Sequence, residues 1–410
     1  MSTIAGTDVA AKPAGRVNWI AIGLCAATMF VEGYDAQFMG SVVPGIARSW
    51  GVPLAAVTPA LVSGLVGLML GAFFIAPLAD NFGRRRVILY SVGAFGLLTI
   101  ASVWAQTVFL MTVLRFLTGL GLGGAMANTT ALTAESSPPE KRAFAVAAMF
   151  CTFSLGAAFG GFVAAALMES YGWESVFLFC GALAVVLWPL LLIAMPESLP
   201  PKANARVTIP AGKLFAEGRA WITVLLWIMF FANLMELYIL TSWLPTTLNA
   251  QGLALRWAQI ATALVQVGGI VGAISLAPLV DRFGPRGVLA LAFTSAAVSV
   301  FVLSFAGASV PLTLLLSFIL GIGTVGAQNC NNGVAAKFYP TSIRATGVGW
   351  ALAVGRIGSI VGPAVGGILL STKVDIRTIF QVAAVPPLVA AAAYLAMGRA
   401  PALEPSAHED

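Results

Sequence analysis

Apolar residues run along this chain in long, unbroken blocks separated by short polar segments that carry most of the charge. The blocks fall at 17–46, 57–79, 87–105, 107–133, 143–168, 172–194, 221–248, 257–279, 287–307, 311–334, 345–371 and 378–397. A helix needs roughly 20 apolar residues to cross the hydrocarbon core of a bilayer. Strands of a membrane barrel read instead as alternating segments of about ten residues. The pattern therefore predicts twelve transmembrane helices in an all-α membrane protein. The longest polar stretch, Pro196–Ala220, contains Pro200, Pro201 and Pro210. It predicts a cytoplasmic linker, 196–220, between a six-helix half at 1–195 and another at 221–410, which ends in a short tail.

Composition sharpens the class. Of 410 residues, 59% are hydrophobic and 9% charged, against about 25% charged in soluble domains; mean hydropathy is +0.93. That excludes a soluble enzyme, a secreted domain and a disordered chain. Cys25, Cys151, Cys180 and Cys330 sit in apolar runs without metal-site spacing, and the one histidine, His408, lies in the tail. Neither a disulfide framework, a metal centre nor a histidine proton relay is expected. The segment Met1–Arg16 shows no apolar core with a cleavage site, so no signal peptide is expected. Of the 22 Lys and Arg residues, sixteen fall on one side of the predicted spans and four (Arg48, Arg256, Lys373, Arg377) on the other; Arg115 and Arg356 lie within spans. This asymmetry predicts both termini in the cytoplasm. The net charge of +6 is thus a topology signal, and no nucleic-acid partner is expected.

The two predicted halves repeat. Residues 76–87 (APLADNFGRRRV) and 277–288 (APLVDRFGPRGV) agree at eight of twelve positions, at an offset of 201. The same offset lays Asn128 on Asn329 and Asp35 on Glu236. Duplicated halves are how many secondary transporters are built, with substrate near mid-membrane between them. Gly119-Leu-Gly121-Leu-Gly-Gly124 and Gly321-Ile-Gly323-Thr-Val-Gly326 match the spacing of a dinucleotide loop. They lie inside apolar spans, not between a strand and a helix, so close helix packing is the expected role.

The loop Asp80-Asn-Phe-Gly83-Arg84-Arg85, echoed at Asp281–Arg286, resembles the signature loop of the major facilitator superfamily. Glu135-Ser-Ser-Pro138…Arg142, Pro340…Arg344 and Pro196-Glu197-Ser198 are similar to other loops of that superfamily. The resemblance implies the major facilitator fold of two pseudo-symmetric six-helix halves. It also implies gating roles at the loop positions Asp80, Gly83, Arg84, Arg142, Asp281 and Arg344. Glu32-Gly33-Tyr34-Asp35 resembles the Asp-Gly-x-Asp motif of the aromatic acid:proton symporters, with Glu in place of the first Asp. Trp243-Leu-Pro245 and the stretch Tyr339 to Arg356 are similar to the same branch.

Charged residues inside the spans are the candidate site. Glu32 and Asp35 are three apart, hence on one helix face, and intramembrane carboxyls mark ion or substrate paths. Two readings fit them: proton coupling, or a permanent ion pair with Arg115. For Arg356 the resemblance implies recognition of a substrate carboxylate, which a guanidinium grips with two parallel hydrogen bonds; a salt bridge to Glu236 is the alternative. Asn233, Glu236, Gln328, Asn329, Asn331 and Asn332 offer polar groups for a ring hydroxyl or for helix packing. Phe38, on the Glu32/Asp35 stripe, is the favoured stacking residue, ahead of Tyr34, Phe230, Phe231, Tyr238, Trp243 and Trp350. If Glu32, Asp35, Glu236, Arg115 and Arg356 shared one region, their formal sum would be −3 + 2 = −1, and a bound carboxylate would favour proton uptake.

The resulting expectation is a monomeric importer of an aromatic carboxylate, of hydroxybenzoate or phenylpropionate type. Proton symport would drive it through alternating access in a bacterial inner membrane. The proton gradient replaces any cofactor, and the bilayer, the acid and protons are the partners. A carrier of another organic anion or of a sugar, or an exporter, is the alternative. A membrane enzyme would need a catalytic constellation that the spans lack, and a sensor would need a signalling domain.

Overall fold

The computed structural model describes residues 18–138, 141–197, 211–216, 218–306, 308–340, 343–372 and 374–397. Ser198, most of the predicted linker, Lys373 and His408 lie outside them, as does the side chain of Asn332. Among the described residues twelve long helices run in chain order. They are α1 (Trp19–Trp50), α2 (Leu54–Phe82), α3 (Arg84–Trp104), α4 (Val108–Glu135), α5 (Arg142–Tyr171), α6 (Glu174–Ala194), α7 (Ala220–Ala250), α8 (Leu255–Phe283), α9 (Pro285–Leu303) and α10 (Val310–Ala335), then α11 (Arg344–Ser371) and α12 (Ile376–Ala396). Each overlaps its predicted run, and most overshoot it by a few residues where the helix leaves the apolar layer for its caps.

Eleven helices among the described residues are long and apolar enough to cross a membrane. The other, α1, has 32 residues, about 48 Å at the helical rise. Its centre carries Glu32, Asp35 and Gln37, all buried, and these lower its apolar content. Burial explains how such a helix survives: α1 packs against α4, α5, α6 and α7, so its polar centre faces protein.

Backbone geometry repeats with the sequence. Gly51 and Gly252, 201 apart, lie just beyond α1 and α7 with φ of 64° and 97°. Gly83 and Gly284, also 201 apart, break the chain between helices with φ of 86° and 82°. Such conformations favour glycine because it has no Cβ. The glycine runs that mimic a nucleotide loop lie in helix–helix seams. A methyl group on Gly119 would strike the carbonyl of Gly64 in α2, and one on Gly321 the carbonyl of Val265 in α8.

The first six helices and the last six meet near the end of the bundle marked by Gly51. Gln259 of α8 donates to the backbone oxygen of Ser41 in α1 at 3.2 Å. Gly40 lies against the backbone of Thr241 and Ser242, and Gly367 of α11 against Thr58 of α2. Toward the Gly83 end a groove of about 410 Å³ opens between α2 and α4, lined by Asp80, Arg84 and Asn128.

Candidate functional site

Asp35 and Arg115 form a closed ion pair. Their side chains are 2% and 4% exposed, and Nη1 of Arg115 lies 3.1 Å from Oδ2 of Asp35. Thr99 of α3 donates to Oδ1 of Asp35 at 2.9 Å and accepts from Nη2 of Arg115 at 3.1 Å. Thr118 accepts from the same nitrogen at 3.2 Å, and the Cys180 thiol reaches Oδ1 at 3.7 Å. The guanidinium also lies 5.8 Å from the ring centre of Phe38 and 5.2 Å from that of Phe177. Charge, hydroxyls and ring faces thus hold Arg115 from four helices, as a buried cation requires. Phe38 itself is fully buried, edge-on to Phe177 at 4.7 Å. Rather than stacking on a ligand, it packs behind the ion pair in this conformation.

The pair lines a narrow central cavity of about 40 Å³ together with Tyr238, Thr241 and Ser242 of α7. That is room for a few waters, not for an aromatic ring.

Arg356 does not line this cavity but reaches Tyr238, which does. Its Nη1 donates to the Tyr238 hydroxyl at 3.5 Å, and its Nη2 to the sulfur of Met126 in α4 at 3.6 Å. Both acceptors are neutral and weak, and among the described residues no carboxylate pairs with Arg356. The alternative of a salt bridge to Glu236 is therefore not formed. Glu236 is fully buried, and neither of its carboxyl oxygens has a hydrogen-bond partner among the described residues. Glu32 has the same character at 2% exposure. Asn233 donates to Gln328 across the α7–α10 seam, while Asn331 accepts from Tyr394 of α12 at 2.6 Å and does not line the cavity. Of the five charges that could share one region, the structure pairs two and leaves Arg356 with neutral neighbours.

The other aromatic candidates mostly pack. Tyr34 donates to the Val176 carbonyl, Trp243 to that of Pro363, and Trp350 stacks on Trp227. At the Gly83 end, Arg84 pairs with Glu135 at 2.6 Å, and Arg142 donates to the Ala134 carbonyl. Arg344 donates to the Tyr339 carbonyl, and Gly83 lies beside the Glu197 carboxylate. Asp80 lines the groove beside Arg84.

The residues that complete the site without being singled out in the sequence are Thr99, Thr118, Phe177 and Met126, joined by Cys180, which had no assigned role. Only Thr118, one turn from Arg115, carried a local signal. The others come from helices whose order around the bundle a linear pattern does not reveal.

Comparison with known proteins agrees with this architecture. The Major Facilitator Superfamily profile matches residues 25–277 and 250–410. The chain is 36% identical to the 4-hydroxybenzoate transporter of Pseudomonas aeruginosa, covering 95% of this chain and 94% of that one. It is 36% identical to the gallate transporter of Pseudomonas putida, with 95% and 94% covered. Identity to the 3-(3-hydroxy-phenyl)propionate transporter of Escherichia coli is 34%, with 95% and 96% covered. Among solved structures, that of a point mutant of the nucleoside transporter NupG superimposes with a TM-score of 0.77 at 14% identity, covering 93% of this chain and 100% of that one. A multi-pass bundle with charges buried at its centre, matched by this profile along nearly its whole length, belongs to the major facilitator superfamily, a superfamily of transporters and not of enzymes.

Proposed function

We propose that the chain imports an aromatic carboxylate, of the hydroxybenzoate or hydroxyphenylpropionate class, by proton symport. The observation that carries this reading is Arg356: a guanidinium at the centre of the bundle with both prongs resting on neutral acceptors. A carboxylate is the stronger partner for that fork, and it would replace the phenol oxygen and the thioether. Relatives named for 4-hydroxybenzoate, gallate and hydroxyphenylpropionate support an aromatic acid as the ligand.

Coupling falls to Asp35 and Glu32. While Asp35 is ionised, Arg115 is neutralised by it. A proton on Asp35 would release that cation toward the cavity, where an arriving anion offsets it. Glu32, one turn away and without a hydrogen-bond partner among the described residues, can share the proton, because a buried carboxyl avoids an unpaired charge by taking one up. Glu236, and Asn233 with Gln328 once their mutual hydrogen bond opens, would then meet ring substituents.

The halves 1–195 and 221–410, joined by the segment 196–220, would rock about this centre. The lysine and arginine asymmetry favours the Gly83 end and both termini as cytoplasmic; a bacterial inner membrane and a monomer as the working unit complete the proposal. Contacts near Gly51 then correspond to a closed outer side. Asp80, Gly83, Arg84, Arg142, Asp281 and Arg344 would form the inner gate. The cavity is too small for a ring, so the helices must part for substrate to enter, as alternating access requires.

The test is uptake of labelled 4-hydroxybenzoate into proteoliposomes under an imposed pH gradient, with binding of the free acid and its methyl ester measured beside it. Wild type should accumulate the acid and prefer it over the ester. Arg356→Ala should lose most of that preference while remaining folded. Equal binding of acid and ester by wild type would refute the reading.

A further inference from the structure

Four tyrosines are buried among the described residues, and three give their hydroxyl proton to a protein acceptor. Tyr34 donates to the Val176 carbonyl at 3.2 Å, Tyr339 to the Thr223 hydroxyl at 3.2 Å, and Tyr394 to Asn331 at 2.6 Å. Tyr238 differs. Its residue is 8% exposed, its oxygen accepts from Arg356 at 3.5 Å, and its own proton goes to no acceptor among the described residues. A buried tyrosine hydroxyl ordinarily finds a partner for its proton. Tyr238 also lines the central cavity that Asp35 and Arg115 line.

We propose that Tyr238 is a substrate-binding residue that reads the carboxylate: its hydroxyl donates to the anion that Arg356 holds. This rests on the assignment of the carboxylate to Arg356. Two donors of different helices, the O–H of α7 and the N–H fork of α11, then converge on one anion. The present Arg356–Tyr238 contact is long for a hydrogen bond, so a carboxylate displaces it readily. The inserted oxygen accepts from the guanidinium and from the phenol, which turns from acceptor to donor. A neutral ester lacks the charge that strengthens both bonds, so the pair selects acids over their esters more sharply than arginine alone. Ring stacking is not required of Tyr238.

The test is a mutant cycle on the purified full-length chain, with 4-hydroxybenzoate and its methyl ester titrated calorimetrically. Tyr238→Phe keeps the ring and its packing, and its melting temperature should match wild type. It should weaken binding of the acid about tenfold to a hundredfold, the usual worth of a hydrogen bond to a charged group, and the ester by less than about twofold. In an Arg356→Lys background, where the carboxylate sits differently, the same change should cost the acid less than about threefold, because groups sharing one partner are not additive. Wild-type affinity for the acid in Tyr238→Phe overturns the proposal, as does an equal loss for acid and ester. If Arg356→Lys alone leaves the acid preference intact while Tyr238→Phe removes it, the arginine assignment fails and the tyrosine contact stands.

Discussion

Replacing Asp35 by asparagine removes a charge but scarcely any volume, and the structure predicts an asymmetric outcome. At the 3.1 Å separation of the pair and an effective dielectric constant of about 20, the attraction is about 5 kcal/mol. Desolvation of both ions offsets part of it, and breaking a buried pair from one side costs about 3–5 kcal/mol. Asp35→Asn leaves a guanidinium that cannot shed its proton, so it should lose the full amount. Arg115→Gln leaves a carboxyl, which can escape an unpaired charge by taking up a proton, so its cost should be the smaller of the two. The double mutant, an amide pair in the same shell of Thr99, Thr118 and two rings, should recover most of the loss. The assay is equilibrium unfolding in mixed detergent micelles, followed by tryptophan fluorescence. If Asp35→Asn proves no more costly than Arg115→Gln, or the double mutant is worse than either, the ion pair does not hold these helices as described.

Transport supplies the other tests. Asp35→Asn should abolish accumulation driven by a pH gradient while leaving some exchange of labelled for unlabelled acid. Glu32→Gln should weaken pH-driven accumulation in the same assay and spare equilibrium binding of the acid. Asp80→Asn should cut uptake more than binding, because Asp80 lines the groove near the Gly83 end and not the central cavity; a parallel loss of both would remove it from the gate. Gly83→Ala should lower stability by about 1–3 kcal/mol, since its φ of 86° disfavours any side chain, and the added methyl group would crowd Glu197. A melting temperature unchanged from wild type would contradict that.

The linear pattern alone determined the number of helices, their order and their approximate ends. A bilayer imposes one length and one polarity on every span, so the information is local and repeated twelve times. The duplication was equally legible, and Gly51, Gly83, Gly252 and Gly284 carry it into backbone angles. Arg115, Arg356, Glu32 and Asp35 stood out because an ionisable group in an apolar run is costly and therefore rare. The sequence offered Arg115 to Glu32 or Asp35 and Arg356 to Glu236, but which of these pairs forms was not legible, because partners come from helices far apart in the chain and the angular order of helices in a bundle leaves no mark on periodicity. Only the folded chain joins Asp35 to Arg115 and leaves Glu236 away from Arg356. It also turns Phe38 into the packing behind an ion pair and sets Tyr238 beside Arg356 with its proton ungiven. Rotating any helix about its own axis would redistribute those partners while leaving the apolar pattern unchanged, so packing, not sequence period, decides the chemistry of the centre.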